Sequence, residues 1–347
     1  MRSEVFAKFF AESLDIAVIW SLTRFFLSRS HHHTEPSELE QLLHLYQSAD
    51  PDHVFSDPCP TDEFAIQSAH HLFGHSTEEF VFPSAVQTPI ERNNTVHARR
   101  IRSGSLEGKP VLILVPGWII GHLDPLLWYF GRPLLRMGIS SVVIEPPYQM
   151  RRTPSGSWTG EYTISGNMVR TFDSIRQAVL DVRRLIAILR QQGASRIGVM
   201  GMSMGGWITS LVSVVETDLA LSAIVVPPVD LTHILKTSPL LRTIRNDIIQ
   251  DGLLDQDVSR VSFLLSPLSY PLRVPLDRVR LFQARHDRAL PPKGVEDLWN
   301  HWGRPLLRKY SAGHISIVLS PGFLRDFRRD CRQLLLDGVP GDSRRTS

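Results

Sequence analysis

The chain has 347 residues, of which 42% are hydrophobic and 21% charged, with a formal net charge of +3. This is a globular composition, long enough for one large domain or two ordinary ones. Its arginines are scattered in pairs such as Arg99/Arg100, Arg151/Arg152 and Arg328/Arg329 with no long basic run, which speaks against nucleic acid as a partner.

Cys59 and Cys331 are the only cysteines. They are too few for a cysteine-based zinc site or a disulfide-stapled scaffold, so a reducing, cytoplasmic setting is expected. At the N-terminus only eight uncharged residues, "IAVIWSLT", separate Asp15 from Arg24, far short of the roughly 20 apolar residues of a spanning helix. Glu4, Glu12 and Asp15 argue against a signal or transit peptide. The expectation is a helix packed on the body. A helix lying on a membrane surface, anchored by Phe6, Phe9, Phe10 and Trp20, is the alternative.

The triplet His31–His33 reads as a solvated loop, because no partner ligands stand at fixed spacing. Leu39, Leu42, Leu43 and Tyr46 recur at helical spacing and predict a helix over 34–47. Residues 50–90, rich in Pro and His, read as irregular. "TVHARRI" (95–101) alternates weakly, like an edge strand. "PVLILVPG" (110–117) is a continuous apolar run, as a buried parallel strand should be. "LDPLLWYFGRPLLRMG" reads as a helix ending at Gly138, and "ISSVVIEPP" as a second buried strand. Residues 170–192 carry Phe172, Ile175, Val179, Val182, Ile186 and Leu189 on one helical face. Further strands follow at "SRIGVMG", "LSAIVVPP", "DRVRLFQA" and "PLLRKYS", with a helix starting near Met204. Short apolar strands alternating with helices describe an α/β fold, a parallel sheet covered on both faces. Ligands in such sheets bind beyond the carboxyl ends of the strands.

Gly201-Met202-Ser203-Met204-Gly205 fits G-x-S-x-G. The pattern alone is weak, but here it follows a predicted strand and precedes a predicted helix. That setting turns the chain sharply and projects the serine hydroxyl. A serine needs a base, and the base an orienting carboxylate. "QARHDRALPP" puts Asp287 just past the fifth of these strands and "YSAGHISIV" puts His314 just past the sixth. Asp230 is the rival acid, and His286 precedes the last strand, which makes it a poor base. Two backbone N–H donors are needed for the oxyanion. Met204, after the serine, and Trp118, in "PGWIIG", are the candidates.

These motifs resemble the α/β-hydrolase superfamily over roughly 94–335, through "GMSMGG", "RHDRALP" and "AGH". Within it the chain is similar to the abhydrolase-domain eighteen-like group, through "FVFPSAVQT…NNTVHARR", "VPGWIIGH", "EPPYQMRR" and "MVRTFDSIRQAVLDVRRL". The resemblance implies an α/β-hydrolase fold, with a mostly parallel eight-stranded sheet, helices on both faces, a small lid and a helical N-terminal extension. It also implies Ser203 as nucleophile, Asp287 as acid, His314 as base, and Trp118 and Met204 as oxyanion donors. Pro116-Gly117 stands where most members have His-Gly, and Ala284 where glycine is usual. The expected layout is an extension over 1–93, a catalytic domain over 94–337 with its lid at about 229–276, and a disordered tail over 338–347.

The expected activity is hydrolysis of a carboxylic ester, a lipid acyl ester being the favoured variant, without metal or cofactor. The same residues would serve an amidase, a thioesterase or an acyltransferase, and a non-catalytic binding protein on this fold is the alternative. The long segment 149–168 contributes Arg151, Arg152 and Tyr162 as candidate substrate contacts, against the reading of a solvated loop. "LTHILKTSPLLRTI" and "VSFLLSPLSYPL" are apolar enough to wall a pocket or to pack as core.

Overall fold

The computed structural model describes residues 2–27, 31–56, 61, 63–72, 75–253 and 255–337. The side chains of residues 2–7, Phe6 included, lie outside the described residues, as do Cys59 and the tail 338–347.

Among the described residues nine strands form one sheet. They are β1 (Ala65–Leu72), β2 (His75–Pro83), β3 (Thr95–Arg102), β4 (Pro110–Val115), β5 (Ser140–Ile144), β6 (Arg196–Met202), β7 (Leu221–Val225), β8 (Val279–Ala284) and β9 (Leu306–Tyr310). Their spatial order is β1-β2-β3-β5-β4-β6-β7-β8-β9. The first four are joined by antiparallel pairings, and every later pairing is parallel. The helices are α1 (Arg2–Phe25), α2 (Pro36–Leu45), α3 (Met168–Gln191), α4 (Met204–Ser213), α5 (Leu231–Thr237), α6 (Arg242–Gln250), α7 (Asp255–Leu265), α8 (Pro292–His301) and α9 (Pro321–Cys331).

The strand pleat sorts the core. In β4, Val111 and Ile113 join Phe172, Ile175, Val179 and Leu211 on one face. Leu112 and Leu114 join Phe130, Phe323 and Phe327 on the other. Both faces of the central strands are thus covered, which is why β4, β5 and β7 read as apolar runs.

Residues 50–90, expected to be irregular, instead supply β1 and β2, so the sheet begins at Ala65 and has nine strands in place of eight. In β2 the inward positions include Ser76 and Glu78 as well as Phe80 and Phe82, and Glu78 is buried because Arg100 and Arg102 of β3 pair with it. This ion cluster hides the apolar alternation. β3 is not an edge strand, since β2 and β5 flank it. The run after β4 is helical from Asp124 to Leu135 but passes through a π turn at Leu127–Gly131, where Pro133 has no N–H to give the preceding turn.

Segment 229–276 folds into α5, α6, α7 and short 3-10 turns whose apolar residues, among them Leu235, Ile244, Val261 and Leu265, belong to the main core. The histidine triplet is not merely solvated either. His31 Nδ1 lies 2.7 Å from Asp247 of α6, His32 Nε2 3.2 Å from Glu161, and His33 Nδ1 2.5 Å from Asp251. These pairs tie the segment that follows α1 to the body.

Candidate active site

The turn from β6 into α4 holds Ser203 at φ 56° and ψ −124°, a left-handed region that a non-glycine residue enters only when its surroundings dictate it. The glycines around it are sterically required. A Cβ on Gly201 would overlap the Gly205 carbonyl and lie 2.6 Å from Thr209 Oγ1, and one on Gly205 would overlap the Val115 carbonyl of β4. Strand and helix therefore pass at backbone contact, and the serine is left at the apex.

His314 and Asp287 come to that apex from the loops after β9 and β8. His314 Nε2 lies 2.9 Å from Ser203 Oγ, and its Nδ1 lies 2.7 Å from Asp287 Oδ2. The other carboxylate oxygen, Asp287 Oδ1, accepts the backbone N–H groups of Ala289 and Leu290 at 2.9 and 2.7 Å. All three predicted side chains are therefore brought together in the predicted order. Burial by itself would depress the His314 pKa. The charge and hydrogen bond of Asp287, with Asp15 behind them, outweigh it and hold the imidazolium above its ordinary value.

The rival groups are engaged elsewhere. Asp230 caps α5 by accepting the His233 N–H at 2.9 Å, and His286 Nε2 lies 3.1 Å from Ser311 Oγ.

The loop after β4 completes the rim. A Cβ on Gly117 would come within 3.7 Å of Ser203 Cβ, an ordinary contact. Trp118 follows, its ring N–H donating to the Gly160 carbonyl at 2.8 Å. Ile119 sits at φ 64° with its N–H held by the buried Gln149 side chain at 2.9 Å. Met204 opens α4, so its N–H is one of the first-turn donors with no intrahelical acceptor, at the positive end of the helix dipole. The β4 and β6 ends adjoin where the strand order reverses, β5 leaving β4 on one side and β6 on the other, the position at which open α/β sheets bind ligands.

A cavity of about 440 Å³ opens over Ser203 and His314. Its apolar walls include Met200, Leu126, Phe130 and Val318. One wall was not foreseen from the sequence. Val18, Ile19 and Leu22 of α1 line the cavity, and Asp15 stands beside them. The 229–276 segment contributes Leu240. Ala11, Asp15, Val18, Ile19 and Leu22 share one stripe of α1, so a carboxylate set into an apolar helical stripe was the available signal.

The three candidate substrate residues do not line this cavity. Arg152 is fully buried, 2.9 Å from Asp181 and donating to the carbonyls of Asn93 and Glu145. Arg151 pairs with Glu145 and Glu79, and Tyr162 packs against His32 and under the Arg170 guanidinium. These residues brace the 149–168 segment from within, so the reading of that segment as a substrate loop gives way to a structural one.

Comparison with known proteins agrees with this fold. An acetyl xylan esterase from Paenibacillus sp. R4 superposes with a TM-score of 0.60 at 17% identity, covering 87% of this chain and 97% of its own. Acetyl xylan esterase 1 from Thermoanaerobacterium sp. JW/SL YS485 gives 0.61 at 16%, covering 90% and 97%. Residues 76–233 match a family model described as alpha/beta hydrolase domain containing 18. The chain has an α/β-hydrolase fold. Among curated relatives it is 36% identical over 236 residues to Uncharacterized protein Rv2627c of Mycobacterium tuberculosis (strain ATCC 25618 / H37Rv). That match covers 66% of this chain and 54% of the mycobacterial one, so the chain spans about half the length of this relative.

Proposed function

We propose that the chain is a serine hydrolase that cleaves a carboxylic ester through an acyl-enzyme. The observation that carries this reading is the unbroken line from Ser203 Oγ through the His314 ring to Asp287, at 2.9 and 2.7 Å, opening onto an apolar cavity. His314 Nε2 takes the Ser203 proton as the hydroxyl oxygen attacks the ester carbonyl. Asp287 keeps the Nδ1–H tautomer and stabilises the imidazolium that forms. The backbone N–H groups of Met204 and Trp118 receive the developing oxyanion. The imidazolium then protonates the leaving alcohol, which leaves the acyl group on Ser203. A water molecule deprotonated by His314 releases that group as the acid.

A fluorophosphonate probe tests this reading. The wild-type protein is expected to label and Ser203→Ala to stay dark. An unlabelled wild type, or equal labelling of the variant, sinks it.

A lipid acyl ester is the substrate class this reading favours. The apolar walls of the cavity support it, and so does the outer side of α1, where Phe9, Ile16 and Trp20 recur on one exposed face. Among the described residues no helix is long and apolar enough to cross a membrane. The mode of contact proposed is therefore an α1 that rests on a lipid surface, with its inner side forming the cavity wall.

A further inference from the structure

Asp15 lies in the middle of a helix stripe that is otherwise apolar, and it is 1% exposed. Its carboxylate accepts three backbone N–H groups. Oδ2 takes those of His314 at 2.7 Å and Arg288 at 3.0 Å, and Oδ1 takes that of Ile315 at 3.1 Å. The donors come from the histidine loop and the acid loop, so one side chain bridges both. A buried carboxylate persists only when such bonds replace its water, and bonds to an ionised acceptor are the strong kind.

The loop is shaped for this approach. A Cβ on Gly313 would lie 2.7 Å from Asp15 Oδ2 and 2.8 Å from the Ala11 carbonyl, so glycine is what lets α1 press against the loop. Glu12, one turn earlier, pairs with the Arg288 side chain at 3.0 Å. That pair is exposed on the Arg288 side and adds little on its own.

We propose that Asp15 is a positioning residue of the active centre, fixing the loops of Asp287 and His314 in register from α1 and setting a second negative charge behind the histidine. The proposal rests on the serine-hydrolase reading. The hydrogen bonds of Asp15 go to backbone N–H groups and not to Ser203 or the His314 ring, so it acts through the His314 loop. Its charge complements the imidazolium formed in each step, in the same sense as Asp287 but through the backbone side of the loop. The charged and titratable groups around His314 are Asp287 and Asp15, with Arg288 turned to Glu12 and His286 turned to Ser311.

The decisive measurement is Asp15→Asn, read in two ways. Nitrogen-15 NMR titration of the His314 ring needs no activity. Its midpoint is expected to fall below that of the wild type once the neighbouring charge is gone. The fluorophosphonate labelling rate is expected to drop about tenfold to a hundredfold as the loops lose their register, with the near-ultraviolet circular dichroism unchanged. Asp15→Glu, which restores the charge, is expected to bring the midpoint back and recover part of the rate. A folded Asp15→Asn with wild-type midpoint and rate overturns the inference and leaves the hydrolase reading standing. A wild type that fails to label overturns the hydrolase reading, and the ring titration still decides the role of Asp15. Should Asp15→Asn fail to fold, Gly313→Ala pushes α1 off the same loop with the carboxylate intact. The same loss of labelling rate is expected, and a folded Gly313→Ala with the wild-type rate overturns the inference.

Discussion

At the scale of single residues, the charge on His314 sets the pH behaviour. Asp287, with Asp15 behind it, holds the pKa of that ring above the ordinary histidine value in the folded chain, and on the proposed reading only the neutral ring takes the Ser203 proton. Hydrolysis is therefore expected to be lost, on an acid limb, as pH falls through that raised value. Removing the Asp287 charge reverses the main upward influence. Asp287→Asn is expected to move the limb to lower pH and to cut kcat by roughly 10³- to 10⁴-fold. A pH profile of kcat/KM on a soluble acyl ester checks both, and a limb unmoved by the substitution would contradict this account. Ser203 was legible in the sequence because it follows a strand whose apolar run announces it, and Asp287 and His314 because they follow later strands in the expected chain order. Arg152 was not. An arginine in a long polar segment looks solvated, and only the fold reveals Asp181 on a distant helix waiting for it. Asp15 was read as a charge that breaks an apolar stretch, because its partners are backbone amides, which leave no mark in residue types.

At the scale of elements, the strand-turn-helix around Ser203 is held by absent side chains. A methyl on Gly205 meets the Val115 carbonyl of the neighbouring strand, and backbone cannot swing aside as a side chain does. Gly205→Ala is expected to destabilise the fold by about 1–3 kcal/mol. In whatever folds, it is expected to abolish labelling by displacing the serine. Denaturant unfolding with parallel labelling checks this, and a stable, fully labelled variant would count against it. The central strands β4, β5 and β7 were readable because burial on both faces makes them apolar. β1 and β2 were not, because Glu78 takes an inward position and its cationic partners lie on β3. β3 looked like an edge for the same reason, its arginines suggesting solvent where they meet Glu78 and Glu79. Segment 229–276 was read as apolar, able to wall a pocket or to pack as core; composition does not distinguish the two, and here most of it is core.

At the scale of the whole molecule, α1 is amphipathic in an unusual sense. Its inner stripe closes the cavity and its outer one presents Phe9, Ile16 and Trp20 to solvent. Replacing these three with serine is expected to abolish sedimentation with phospholipid vesicles. Labelling in solution should stay unchanged, because none of the three lines the cavity. Vesicle binding that survives the triple change would remove α1 as the contact.

The bond from Asp15 to the His314 amide joins residues 299 positions apart in the chain. Loop-closure entropy grows only slowly with such a span, yet contacts this distant form late in folding, after the local pairings that bring their ends together. On a ribosome α1 is made before the sheet, and the histidine loop follows its last strand. Until β8 and β9 have docked, the Asp15 carboxylate has no amides to meet and the inner stripe of α1 has no wall to complete. The Asp15 bonds therefore join an early segment of the chain to a late one. A chain halted before His314 would carry a correctly turned Ser203 with nothing to deprotonate it.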